Sequence, residues 1–185
     1  MQAVADPVAV TLVLGGARAG KSTYAERCVL DAARDGRALY VATTDAALSH
    51  QHGDADMLAR IDAHRAQRSA GWETIEAPHD LPAVLSMTRA DPRPVLVDCL
   101  TLWLTNLMLA GRDIAGETAR LLAAFDDRAA PLVLVANEVG LGIVPETPLG
   151  RRFRDEAGRL NQRVAARADQ VVFVAAGLPL TLKGV

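Results

Sequence analysis

Short apolar runs alternate along the chain with stretches in which apolar residues recur every three or four positions. Val8 to Leu14 (VAVTLVL) is β-branched and almost wholly apolar, the pattern of a strand covered on both faces in a parallel sheet. It stops at Gly15-Gly16. Beyond the glycines, Ser22 to Ala33 carries Tyr24, Cys28 and Val29 at helical spacing and closes at Asp35-Gly36. Similar apolar runs at Ala38–Thr43, Val95–Cys99, Leu132–Ala136 and Val171–Ala175 predict further strands, and Gly177–Val185 reads as a last short one. Helical patterns run from Ala55 to about Gln67, from Gly111 to Phe125 and from Arg151 to Ala168, with a polar insertion at Asp45–Asp54. Strands alternating with helices predict an α/β fold with a mostly parallel central sheet flanked by helices. With no repeat or linker in 185 residues, one domain spanning 1–185 is expected, with 1–7 as a flexible start.

Composition narrows the class. Half the residues are apolar and 23% are charged, enough for a packed core. Twenty basic against twenty-two acidic residues leave a net charge of -2, which gives no field for a polyanion, so nucleic acid is not an expected partner. Cys28 and Cys99 each lie in an apolar run and read as small buried hydrophobes, which suits a reducing cytoplasm. Met1 to Pro7 lack the pattern of a secretion signal, and no run reaches the roughly 18 apolar residues that span a bilayer, so neither export nor a membrane is expected.

The strongest chemical signal is Gly15-Gly16-Ala17-Arg18-Ala19-Gly20-Lys21-Ser22. It matches G-x-x-x-x-G-K-[ST] between a predicted strand and a predicted helix, the context the pattern requires. Glycines let backbone N–H groups turn around phosphate oxygens, the helix adds its positive end, Lys21 reaches the outer phosphates and Ser22 is a ligand for Mg²⁺. Asp98, at the end of an apolar strand, is the first candidate for the acid that holds Mg²⁺ directly or through water. Asn137-Glu138, after the next strand, offers a competing carboxylate.

A second segment, Asp56 to Arg68, sets Arg60, His64 and Arg68 one turn apart on a helix face distinct from Met57, Leu58 and Ile61. Two guanidinium groups flanking an imidazole suit triphosphate chemistry, in which a neutral imidazole serves as base or nucleophile. By pattern alone, a solvated helix face is the favoured account, with Asp56 and Arg60 as an ordinary ion pair. His50 and His52 read as residues of a surface loop and His79 as a turn residue.

From about Thr11 to Lys183 the chain resembles the bifunctional adenosylcobinamide kinase/adenosylcobinamide-phosphate guanylyltransferase family of cobalamin biosynthesis. The blocks that carry the resemblance are GGARAGKS at Gly15–Ser22, YVAT at Tyr40–Thr43, RIDAHRAQR at Arg60–Arg68, GWETIEAP at Gly71–Pro78, DCLTLWLTNL at Asp98–Leu107, NEVGLGIVPE at Asn137–Glu146 and FRDEAGRLNQRVA at Phe153–Ala165. The resemblance implies a RecA-like P-loop fold assembled as a homotrimer. It also implies two reactions: phosphorylation of adenosylcobinamide by ATP or GTP, then transfer of GMP from GTP to the new phosphate with release of pyrophosphate. The GMP is carried on a covalent histidine, which would be His64 here. The family pattern places guanine nucleotide against the phosphate loop, the turn Ala42, Thr43 and Thr44, the helix residues Arg65, Ala66, Gln67 and Arg68, and Glu76 and Asp98. No separate base for the cobinamide hydroxyl stands out, and Glu76 is as readily a ribose or guanine contact. A P-loop small-molecule kinase without guanylyl transfer is the alternative reading, and a nucleotide-dependent regulatory module a third.

Overall fold

The computed structural model describes residues 10–45 and 71–184. In chain order they form β1 (Val10–Gly15), α1 (Lys21–Ala32), β2 (Ala38–Ala42), β3 (Trp72–Glu76), α2 (Leu81–Met87), β4 (Val95–Asp98), α3 (Leu100–Leu109), α4 (Ile114–Ala123), β5 (Leu132–Asn137), α5 (Pro148–Arg167), β6 (Gln170–Ala175) and β7 (Leu178–Lys183). The strands make one sheet in the order β3-β2-β4-β5-β1-β6-β7. All neighbours run parallel except β7, which turns back on β6 through Ala176-Gly177. The predicted strand at Gly177–Val185 is therefore present, as an antiparallel edge. The predicted helix at 55–67 and residues 8 and 9 of the first strand lie outside the described residues.

Successive strand residues point to opposite faces, and here both faces are covered. Leu12, Leu14, Leu39, Val41, Val95, Val97, Leu132 and Leu134 pack with Leu81, Leu85, Trp103, Leu107, Leu121, Leu160 and Val164 of α2 to α5. Val13, Tyr40, Leu96, Val133, Val135, Val172 and Val174 pack on the other side with Ala25 and Val29 of α1. The two-sided burial explains why the strands read as continuous apolar runs rather than alternating ones. Trp103 is fully buried, so the Leu100–Leu109 segment belongs to the core. Cys99 is buried and Cys28 partly so, and both are free thiols.

Several boundaries differ from the sequence expectation for local reasons. Helix α3 is mostly buried and carries no charged residue, so it lacks the polar stripe that announces a surface helix. Gly111 adopts φ 64° after it, and the Asp113 side chain accepts from Ala115 N at 3.1 Å, so the expected helix at Gly111–Phe125 begins at Ile114. Thr147 accepts from Gly150 N at 3.1 Å with Pro148 in the first turn, which starts α5 one turn before Arg151. Strand β3 (WETIE) is an edge strand, half exposed and without a long apolar run.

Residue Gly15 fixes how the chain leaves β1. At φ 153° any Cβ added there would lie 2.3 Å from the Val174 carbonyl oxygen of the neighbouring strand. Substitution Gly15→Ala should therefore cost about 2–4 kcal/mol and lower the melting temperature by roughly 5–15 °C. Thermal denaturation measures this, and an unchanged transition would show that β1 and β6 separate at that point without cost.

Candidate active site

Parallel strands deliver their carboxyl ends to one edge of the sheet, the edge where open α/β sheets bind ligands. Residues Glu76, Ala42 and Asp98 stand in register across β3, β2 and β4, while Gly15 pairs with Asn137 on one side and Val174 on the other. The phosphate-loop residues 15–22 connect β1 to α1 at this edge. The structure thus brings together Gly15–Ser22, Ala42, Thr43, Thr44, Glu76 and Asp98 from the predicted site. His64, Arg65, Ala66, Gln67 and Arg68 lie outside the described residues, as do Arg60, His50 and His52. The chain enters that segment from Asp45, just beyond the Ala42–Thr44 turn.

Within the loop Arg18 has φ 57° and Gly20 φ 96°, and a Cβ on Gly20 would approach Gly177 Cα to 3.2 Å. The Gly177 N–H donates to the Ala19 carbonyl at 2.8 Å, so the β6–β7 turn braces the loop from behind. Lys21 Nζ donates to the Gly16 carbonyl at 2.6 Å, folding the side chain back over the cradle. Burial holds the Lys21 amine below its usual value, an effect the Asp98 charge opposes. A buried cation beside a ring of loop amides is prepared for an anion.

Asp98 is the hub. Its Oδ2 accepts from Ser22 Oγ at 3.0 Å and from Tyr40 Oη at 3.0 Å, linking the loop, β2 and β4. Next to it, Thr43 Oγ1 donates to the Cys99 carbonyl at 2.7 Å and accepts from Cys99 N at 2.8 Å. Burial, with the Asp98 charge adding to it, pushes the Cys99 thiol up to about 12, so this sulfur stays protonated and is no nucleophile at neutral pH. Asn106 is buried in α3, and its Nδ2 donates to the carbonyls of Thr43 and Pro78, each at 2.8 Å. Trp103 Nε1 donates to the His79 carbonyl at 3.0 Å, and His79 Nε2 stands 3.3 Å from Asp45 Oδ2. The turns after β2 and β3 are thereby bound to one helix.

Tyr40 and Asn106 escaped the sequence reading. Both carry a visible signal: a hydroxyl inside an apolar strand and a lone amide inside an apolar helix are polar groups that burial forces to find partners. Ser22 and Asp98 supply two hard oxygen donors of the kind Mg²⁺ takes. Among the described residues no group of three or more His, Cys, Asp or Glu could hold a metal. No helix of the described residues is long and apolar enough to cross a membrane.

Parallel sheet, glycine loop and the Ser22–Asp98 pair define a RecA-like P-loop enzyme that uses nucleoside triphosphates. The likeness to the flagellar accessory protein FlaH of Methanocaldococcus jannaschii agrees in fold: TM-score 0.52, 13% identity, 95% of this chain and 78% of that one. A family model described as "Cobinamide kinase / cobinamide phosphate guanyltransferase" matches residues 11–182. The "Bifunctional adenosylcobalamin biosynthesis protein CobP" of Pseudomonas aeruginosa is 48% identical over 176 residues, 94% of this chain and 96% of that protein. The "Bifunctional adenosylcobalamin biosynthesis protein CobU" of Salmonella typhimurium is 41% identical over 187 residues, 93% of this chain and 98% of the other. The chain belongs to the cobinamide kinase/cobinamide phosphate guanyltransferase family.

Burial of the protonated Lys21 amine costs stability at neutral pH, where the unfolded chain also carries the charge but in water. Lys21→Met should raise the melting temperature of the nucleotide-free protein by roughly 2–4 °C, about 1 kcal/mol. The stabilisation by added GTP should vanish in the same variant. Calorimetry with and without GTP reads both, and a variant that GTP still stabilises as strongly as wild type would remove Lys21 from triphosphate binding.

Proposed function

We propose that this chain carries out both reactions of its family at one nucleotide site: phosphorylation of adenosylcobinamide by ATP or GTP, then guanylyl transfer from GTP to adenosylcobinamide phosphate. Lys21, Ser22 and Asp98 converge at one sheet edge in a chain whose family holds both activities, and this convergence carries the reading. Loop amides 15–20 and Lys21 hold the triphosphate; Ala42–Thr44, Glu76 and Arg65–Arg68 are assigned to the nucleotide around it. Ser22 and Asp98 would hold Mg²⁺, which supplies charge neutralisation on the phosphates. Tyr40 and Ser22 fix the Asp98 carboxylate for that task.

In the second reaction His64 is the nucleophile. A ring nitrogen attacks the α-phosphorus, an N–P bond forms, the bond to the bridging oxygen breaks and pyrophosphate leaves. A phosphate oxygen of adenosylcobinamide phosphate then attacks the same phosphorus, the N–P bond breaks and adenosylcobinamide-GDP departs with the imidazole restored. The family match over residues 11–182, which include His64, supports that role. The family match favours this reading over a kinase without guanylyl transfer.

One domain and a cytoplasmic location are part of the same proposal. So is a homotrimer, supported by two separate apolar surfaces. Strand β7 leaves Leu178, Leu180 and Leu182 71%, 61% and 57% exposed at a sheet edge, and the segment after β5 leaves Leu141 and Ile143 83% and 97% exposed. A cyclic trimer joins unlike patches of neighbouring copies.

Incubation with GTP labelled at the α-phosphate should yield an acid-labile protein adduct in wild type and none in His64→Ala. Lys21→Ala should lose both the adduct and cobinamide phosphorylation; retained GMP loading would mean two nucleotide sites. Light scattering should give three copies for wild type and a smaller particle for Leu180→Lys with Leu182→Glu, and a monomeric wild type would end the trimer proposal.

A further inference from the structure

Phosphoryl transfer to a hydroxyl requires a group to take the hydroxyl proton, and none of the residues assigned above is free for that task. At the carboxyl edge of the sheet, Asp98 is engaged by Ser22 and Tyr40, and Asp45 faces His79. Glu76 ends β3, which three strands separate from β1 in the sheet order, and makes contacts of its own. Glu138 differs. It follows β5, the strand between β4 and β1, so it stands between the Asp98 strand and the phosphate loop. Its N–H donates to the Gly15 carbonyl at 3.0 Å, which ties Glu138 to the first residue of that loop. The residue before it is held on both sides: Asn137 N donates to Thr101 Oγ1 at 2.7 Å, and Asn161 Nδ2 donates to the Asn137 carbonyl at 3.3 Å. The carboxylate accepts from Gly140 N at 2.6 Å through Oε1, and among the described residues no side chain pairs with it. A carboxylate tethered to the loop by its own backbone, with an oxygen to spare, has the position and the chemistry of a general base.

We propose that Glu138 is the base of the kinase step. This rests on the two-reaction reading and assigns it a residue. The acceptor hydroxyl oxygen bonds to the γ-phosphorus, the bond from that phosphorus to the β,γ-bridging oxygen breaks, the nucleoside diphosphate leaves, and the hydroxyl proton passes to Glu138 and then to water. Guanylyl transfer needs no such base, because the attacking atoms, the unprotonated ring nitrogen of a neutral imidazole and an anionic phosphate oxygen, bear no proton. The two activities therefore separate at this residue.

The test compares wild type, Glu138→Gln and Glu138→Ala in three assays: phosphorylation of adenosylcobinamide, GMP loading from α-labelled GTP, and GMP transfer to adenosylcobinamide phosphate. In Glu138→Gln, kcat for phosphorylation should fall about 10²–10⁴-fold, while loading and transfer continue. Added formate should restore part of the phosphorylation in Glu138→Ala. Phosphorylation by Glu138→Gln within threefold of wild type overturns the proposal. Parallel loss of all three activities overturns it too, since it would mean that Glu138 only supports the loop. A wild type that does not phosphorylate adenosylcobinamide defeats the two-reaction reading instead, and the two failures are told apart by the wild-type lane.

Discussion

The chain has to leave β1 through a gap with no room for a side chain. At Gly15 the backbone runs against the Val174 carbonyl of β6 while its own carbonyl accepts from Glu138 at the end of β5. Held between two strands, the loop starts from a fixed point and leads directly into α1 at Lys21. Lys21, Ser22 and the Asp98 contacts all take their positions from that exit. The other elements serve it by keeping β5, β1 and β6 in register, which they do by burying both faces of the sheet.

Much of this was readable in the chain. Apolar runs without alternation announced strands covered on both faces, and the glycine pattern between a strand and a helix announced the phosphate loop, because both depend on neighbours close in sequence. Helix α3 and strand β3 were harder to see. A mostly buried helix without a charged residue has no polar face to set its period, and a half-exposed edge strand of five residues leaves too little pattern. Asp98 was legible as an acid at a strand end. Its partner Tyr40 was not, since β2 and β4 come together only through the sheet order.

The residues that organise the edge are mostly small hydroxyls and amides. Thr43, Thr101, Asn106 and Asn161 each bond to backbone, and three of them are reached by helices α3 or α5 from beneath the strand ends. A turn cannot satisfy all its own peptide groups, so buried polar side chains finish the accounting and fix the shape at the same time. This division leaves the charged groups Lys21, Asp98 and Glu138 to chemistry.

The amide of Asn106 spans the carbonyls of Thr43 and Pro78, and one nitrogen thereby welds two loops that are 35 positions apart in the chain. Mechanically they are a single lip. Displacement of either turn is carried to the other and to α3, the helix that bears Asn106.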